Sequence, residues 1–570
     1  MRKRILTTLL ASIMVLSVTS CGNGNDTGTA DSQTDNKPEN SSSAGSTGTC
    51  QDTGCIWDEF TPYEETVTFS KVTSTLPYDQ PGKETDTYLD NPFTRHVKER
   101  VNVEATSKWA VDPNNAEQKM SLAIATGDLP DMMMISDDNT FNQLVENDLI
   151  WDLTEVYDKC LSPWLKEQYD EYGDALFNQV TVDGKLMALP GTNIALDHPL
   201  LWIRQDWLDK LDLSMPQTIE DIEKTAKAFV ESDIGGNGTI GLTIALPNTG
   251  TIYGGYGSEC TIDPIFAAFG AFPGSWIERD GEAVWGSILP ENKDALAKLA
   301  QWYQDGILDK EFAVRKDEDR QGLIASSRLG MGTAKQWALQ GTDKSIQNDP
   351  EAEWSIASAP VNADGKNVCA AGNPLSGRLC ISKSYEHPEA IIKAMNAGYE
   401  MLRCHGEEGT KAYNQMLEEA PGLSWSNMPV NINISPKYYI ADIHNDIAQA
   451  LEKNDREAME IKEFRDIYDL VKFNIDHPKE DPVAWQKYMQ RMPGAEAAMD
   501  ENHEDYPVAY YGTTPTMSTK WAALTKMETE TYLQIIMGEK PVDEFDNFVK
   551  QWLAMGGQEI TDEVNELRVK

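Results

Sequence analysis

The stretch SLAIATGDLPDMMMI, residues 121–135, closes a helix and opens a buried strand. Leu122, Ala123, Ile124 and Ala125 give an apolar helical close, Gly127 supplies a left-handed cap, and Pro130 forbids continuation. Met132 to Ile135 is then an unbroken apolar run, the pattern of a strand covered on both faces in an α/β sheet, although length alone also permits a buried helical turn. Ser136, Asp137, Asp138 and Asn139 follow, so polar groups collect at the carboxyl end of the strand, where open α/β sheets hold ligands. Upstream, residues 66–74 and 101–107 alternate as strands, and residues 91–100 and 113–125 read as helices. A β-α-β-α-β order predicts parallel strands with covering helices.

Downstream, residues 180–189 predict a hairpin about Asp183-Gly184. In LWIRQDWLDKLDLSMPQTIEDIEKTAKAFVES, residues 201–232, Thr218 and Asp221 predict a capping box, and Ile219, Ile222, Ala226, Phe229 and Val230 share one face. Residues 290–303 and the C-terminal stretch with Phe545, Phe548, Val549, Trp552 and Leu553 are further amphipathic helices. From about residue 389 to 499 the pattern is mainly helical, ALEKNDREAMEIKEFRDIYDLVKF being the clearest run, with PGLSWSNMPVNINIS as an interruption.

ATGDLPDMM resembles the A-S-G-D-x-P-D signature of extracellular solute-binding proteins of ABC importers, in the oligosaccharide- and polysaccharide-binding lipoprotein branch. The block from Leu201, GILDKEF and the final YYGTTPT…IIMGE stretch resemble the same family. The resemblance implies an α/β, two-lobed periplasmic-binding-protein-like (type II) fold with discontinuous lobes and a helix-rich second half. One lobe is expected to comprise residues 66–196 plus 372–506, the other residues 197–371 plus 507–570. It also implies a monomer that traps an oligosaccharide between its lobes and delivers it to ABC permease subunits. Many relatives bind calcium in a loop matching residues 233–239; here Asp233 and Asn237 remain but other acidic ligands are gone, so no calcium is expected.

The formal charge of -43 and pI near 4.4 exclude nucleic acid and anionic membrane surfaces as partners and favour a neutral or cationic ligand, though local arginines can hold an anion. Arg2, Lys3 and Arg4 precede an apolar segment of secretory type, and Val18-Thr19-Ser20-Cys21 resembles a bacterial lipobox. Residues 1–21 are therefore expected to be a lipoprotein signal, with Cys21 lipidated and the chain anchored on the outer face of the cytoplasmic membrane at the cell surface. Residues 22–59, rich in Gly, Ser, Thr, Asp and Asn, read as a disordered tether. Cys50 and Cys55 stand close enough to form a small disulfide loop, and with Cys160, Cys260, Cys369, Cys380 and Cys404 they leave an odd number of thiols.

No nucleophile elbow, H-E-x-x-H or Walker loop is present, so an enzyme is not expected. Sugar rings pack their C–H faces on aromatic rings and offer hydroxyls to carboxylates, amides and Arg forks. Trp276, Trp337, Trp425, Tyr253 and Tyr511, in loops or beside predicted crossings, are the candidate platforms, each open to a core or surface role instead. Asp137 and Asp138 are candidate edge acceptors. Arg204 and Asp206 match family positions and are candidates for ligand contact, with an intralobe ion pair as the alternative. A peptide- or amino-acid-binding lipoprotein, a secreted glycosidase and a surface adhesin are the competing classes.

Overall fold

The computed structural model describes residues 55–246, 251–254, 259–337, 339–459 and 462–568. The signal and lipidation candidate Cys21, most of the expected tether, Cys50 and part of the loop after Tyr253 lie outside the described residues. The last five residues of the expected tether are not a tether. Lys393, fully buried, donates from Nζ to the carbonyls of Ile56 and Thr61 and to Asp58 Oδ1, and Ile56 and Trp57 pack on the neighbouring core. Cys55 is disulfide-bonded, whereas the buried Cys160, Cys260, Cys369 and Cys380 are free thiols.

The strands β1 (Val67–Ser74) and β2 (Val103–Val111) pair in parallel around helix α1 (Pro92–Val101). Asn91 caps α1: its Oδ1 accepts from the backbone of Phe93 and Thr94, and its Nδ2 donates to the carbonyls of Thr87 and Asn427. Helix α2 (Ala116–Thr126) ends at Gly127 with φ 69°, and strand β3 (Met132–Ile135) follows, as the sequence predicts. Two details differ. Met134 is 37% exposed, so β3 is not covered on both faces. Nor does β3 continue the parallel ladder: it pairs antiparallel with β13 (Leu375–Ile381), which pairs on its other edge with β6 (Leu189–Thr192). Asp131 ties β1 to the start of β3, since its carboxylate accepts from both the backbone N and the Oγ of Ser70. The short hairpin β4 (Thr181–Val182) and β5 (Lys185–Leu186) turns on Asp183 and Gly184, both with positive φ.

Beyond β6 the chain builds a second core. Strand β7 (Leu200–Arg204), wholly buried, is flanked antiparallel by β10 (Met331–Ala334) and β11 (Trp354–Ala357). Strands β8 (Trp276–Arg279) and β9 (Glu282–Trp285) form a hairpin, with β15 (Val508–Tyr510) on the other edge of β8. The predicted capping box at Thr218 and Asp221 opens the helix Ile219–Ser232. One apolar core draws on residues 63–189 and 375–434, the other on residues 201–359 and 517–564. Strand β12 (Asn367–Ala370) runs parallel to β14 (His503–Tyr506) beside the connections between them.

The run ALEKNDREAMEIKEFRDIYDLVKF is not one helix. Tyr439–Lys453 ends at Asn454, φ 47°, and Lys462–Asp476 starts anew. The assignment of residues 372–506 to the first lobe also needs correction. Trp485 and Met489, in the helix Pro482–Arg491, pack with Trp202 and Trp354, and Ala495 and Ala498 pack with Leu200, all second-lobe residues. Apolar periodicity marks which face of these helices is covered but carries no information on which lobe covers it.

The Asn91 side chain closes four bonds in a fully buried position. Asn91→Ala is expected to lower unfolding stability by ~2 kcal/mol, read as a lower urea midpoint with unchanged slope, and Asn91→Asp to recover part of the loss through the cap alone.

Candidate functional site: a cleft at the lobe junction

Two cavities meet where the chain passes between the cores. The first, about 640 Å³, is lined by the connection from β6 to β7, including Asn193, Asp197 and His198, by residues 369–374, and by Tyr253, Asp263 and Phe272 of the second lobe. The second, about 1060 Å³, is lined by Trp276, Trp285, Tyr510, Tyr511 and the helix Met517–Ile536. Gly274, Ser275, Ala371 and Asn373 border both, so they form one continuous cleft.

Aromatic rings concentrate in the second cavity. Trp276 and Trp285 lie 5.2 Å apart between centroids, and Trp521 lies 4.8 Å from Trp285 and 6.4 Å from Trp276. Trp276 and Trp285 are almost wholly covered, so the ring surface facing the cavity comes mainly from the half-buried Trp521, Tyr510 and Tyr511. Glu528 holds the cluster from beneath: Trp285 Nε1 donates to its Oε2 at 3.1 Å, and burial pushes this carboxyl up from its ordinary value. A neutral acid is the form that tolerates such surroundings.

Polar groups cross the cleft. Helix α3 (Asp138–Glu146) starts at the carboxyl end of β3, capped by Asp137, which accepts from Thr140 N at 2.7 Å. Asp138 accepts from Arg378 Nη2 at 2.5 Å and from Thr513 Oγ1 at 3.2 Å, and Asn139 Oδ1 accepts from Ser518 Oγ at 2.7 Å. Thr513 and Ser518 belong to the segment entering the helix Met517–Ile536, so these bonds join the first lobe to the second.

In the first cavity Asp197 is gripped by Lys335 at 2.7 Å and by Trp337 Nε1 at 3.0 Å. The Asp263 carboxylate accepts from Gly254 N and from the Thr261 hydroxyl, and burial raises its pKa. His198 stacks on His503, centroids 3.4 Å apart and planes 3° from parallel, while His503 faces Asn367 Oδ1 and Asp505 Oδ1. Neither ring nitrogen of His198 has a partner among the described residues.

The candidates fare unevenly. Tyr253 lines the first cavity, and Trp276 and Tyr511 line the second, Tyr511 donating from its OH to Ala371 O at 2.9 Å. Asp137 lines a separate cavity of about 460 Å³ in the first lobe, and Asp138 serves the bridge just described. Trp337 packs against the cluster around Trp202 and lines none of the three cavities, acting instead through Asp197. Two of the candidate positions stand away from the cleft. Trp425 sits in the exposed turn Trp425–Asn427 and lines none of the three cavities. Arg204 is buried, bound through Nε and Nη2 to Asp206 and also to Ser327 and Asp349, so its donors and the Asp206 carboxylate serve the second lobe's interior and not the cleft. Trp521, Tyr510 and His198 were not picked out by the sequence. The signal for Trp521 is its place just beyond the YYGTTPT stretch, in the second turn of the helix Met517–Ile536. In the former calcium-type loop, Asp233 Oδ1 accepts from Gly238 N, Thr239 N and Thr239 Oγ1, the duty of a turn residue.

The family model described as bacterial extracellular solute-binding protein matches residues 73–399, more than half of the chain. The chain belongs to that family. This solute-binding protein is 22% identical over 493 residues to "Lipoprotein LipO" of Bacillus subtilis (strain 168), covering 84% of this chain and 88% of the relative. It is 28% identical over 217 residues to "Fructooligosaccharide ABC transporter substrate-binding protein FusA" of Streptococcus pneumoniae, covering 36% and 39% of the two chains. Among solved structures, FusA with kestose superposes with a TM-score of 0.57 at 16% identity, covering 88% of this chain and 99% of that one, which establishes the two-lobed fold. The alginate-binding protein AlgQ2 gives 0.56 at 16% identity, covering 89% and 99%.

Burial, with His503 stacked against it, pushes His198 down to about 3. An unfolded chain protonates this imidazole below about pH 6.5, so unfolding takes up a proton between about 6.5 and 3. Its contribution to stability is therefore whole above that window and declines as the pH falls through it. His198→Phe is expected to flatten the dependence of the urea midpoint on pH between about 4 and 6, removing up to ~1.4 kcal/mol per pH unit.

Proposed function

We propose that this solute-binding protein captures an oligosaccharide in the cleft between its lobes and delivers it, unaltered, to the permease of an ABC importer. The observation that carries the reading is the arrangement in the second cavity: ring faces from Trp521, Tyr510 and Tyr511 beside the amides of Asn139 and Asn373 and the hydroxyl of Ser518. Flat apolar faces with amide and hydroxyl edges are what a pyranose or furanose ring needs. The kestose complex and fructooligosaccharide name of one relative, and the alginate-binding name of another neighbour, support the same ligand class. A ligand touching both lobes would favour the closed arrangement, and the closed form is the one to engage a permease.

The protein is read as a carrier and not a hydrolase because the cleft carboxylates have standing partners: Asp197 holds Lys335, and Asp505 faces His503. Among the described residues no helix is long and apolar enough to cross a membrane. Attachment to the outer face of the cytoplasmic membrane would then rest on acylation of Cys21, with the chain working as a monomer.

Thermal-shift screening across sugars and peptides tests the ligand class. A sugar is expected to raise the melting temperature and be recovered intact; its hydrolysis, or stabilisation by peptides alone, defeats the reading. Trp521→Ala is expected to weaken binding of that sugar by ~10- to 100-fold in calorimetry, with Trp521→Phe retaining part of the affinity. In a bacterial host, Cys21→Ala is expected to abolish incorporation of labelled palmitate and release the protein from the membrane fraction.

A further inference from the structure

We infer that the oligosaccharide is uncharged and that the cleft discriminates against uronic-acid sugars. This deepens the oligosaccharide reading and rests on it.

A carboxylate-bearing sugar taken out of water needs a cation to replace its hydration, and the group best suited to grip it is the planar guanidinium fork of arginine. Among the described residues no arginine lines either cavity of the cleft. Residues 247–250 and 255–258, adjacent in sequence to residues that line the cleft, contain neither Lys nor Arg. The nearby arginine at the lobe bridge, Arg378, is committed to Asp138.

Three lysines do line the cleft, and each is engaged. Lys335 bonds Asp197 at 2.7 Å. Lys526, on the exposed face of the helix Met517–Ile536, stands 3.9 Å from Glu530. Lys437 carries its ammonium over the Tyr438 ring, 5.4 Å from the centroid. In the separate first-lobe cavity Lys71 donates to the carbonyls of Pro429 and Met428 and to Asn431 Oδ1, so its three protons are spent.

Against these lysines stand Asp197, Asp263, Asp505 and Glu530, so the cleft holds more carboxylates than cations. The chain as a whole carries a formal charge of -43, which adds long-range repulsion of an anionic oligomer at low salt. Carboxylates and amides are acceptors for sugar hydroxyls, so the same lining that repels a uronate binds a neutral ring.

The test is calorimetric titration of the full chain with matched pairs of equal length: galacto-, gluco- and manno-oligosaccharides against their uronate counterparts, each at low and high salt. At least one neutral member is expected to bind, with its uronate counterpart weaker by roughly ten-fold or more and gaining affinity as salt screens the repulsion. A uronate that binds as tightly as its neutral partner or tighter, whatever its salt trend, overturns the inference while leaving the oligosaccharide reading standing. Absence of binding by every sugar in both sets overturns that reading, and the inference falls with it. Thr525→Arg places a cation in the second cavity, where Thr525 lies. This variant is expected to raise uronate affinity several-fold and to reverse the salt trend; unchanged uronate affinity in it overturns the electrostatic basis of the selection.

Discussion

The Asp131 carboxylate, accepting from both the amide and the hydroxyl of Ser70, fixes where β3 begins. Since β3 shares no ladder with β1, this side-chain closure does for the first lobe what backbone pairing does within a continuous sheet. Its consequences run along the chain. With β3 set, Asp137 can cap α3, Asp138 can meet Arg378 from the adjoining strand β13, and Asn139 reaches Ser518 across the junction. Of the polar residues after the strand, Asp138 and Asn139 are thus spent on placing one lobe against the other, while Asp137 starts the helix. The cleft inherits its shape from that placement.

The ring cluster depends on a second constraint of opposite kind. Trp285 and Trp276 are covered by the second lobe, and Glu528 beneath them is a buried acid whose burial favours the neutral form. A neutral acid accepts from the Trp285 indole without the cost of a buried charge. Ring orientation is therefore set by the interior, while Trp521 and the Tyr510–Tyr511 pair present the ring surface that faces the cavity. Delivery, which needs binding that is reversible, suits a platform built on dispersion and hydroxyl contacts more than one built on ion pairs.

Much of this was legible in the chain because local rules decide it. The Gly127 cap, the Asp183-Gly184 turn and the Thr218 capping box each depend on residues within a few positions of one another. The antiparallel partner of β3 lies some two hundred and forty residues away, as in the Met134–Leu379 pairing, and no local pattern announces it. Arg204 and Asp206 illustrate the same limit within the site. An Arg two residues from an Asp reads first as an internal tie and second as a ligand fork, and the arrival of Ser327 and Asp349 from distant segments settles it as the tie. Trp425 failed for a related reason: a Trp in a loop is visible, but the face of the molecule that the loop occupies is not.

Two of the bonds between the lobes, Thr513 to Asp138 and Ser518 to Asn139, are hydroxyl donors on acceptors beside open cavity. The helical segment of residues 439–491 ties to both sides as well, with Arg403 binding Glu463 and Lys479 donating to Ala352 O. A neutral hydrogen bond is worth about 1 kcal/mol net and one to a carboxylate somewhat more, so no single contact of this kind holds the junction by itself. A sugar entering the gap therefore meets a rim of small, separable ties and not a single lock.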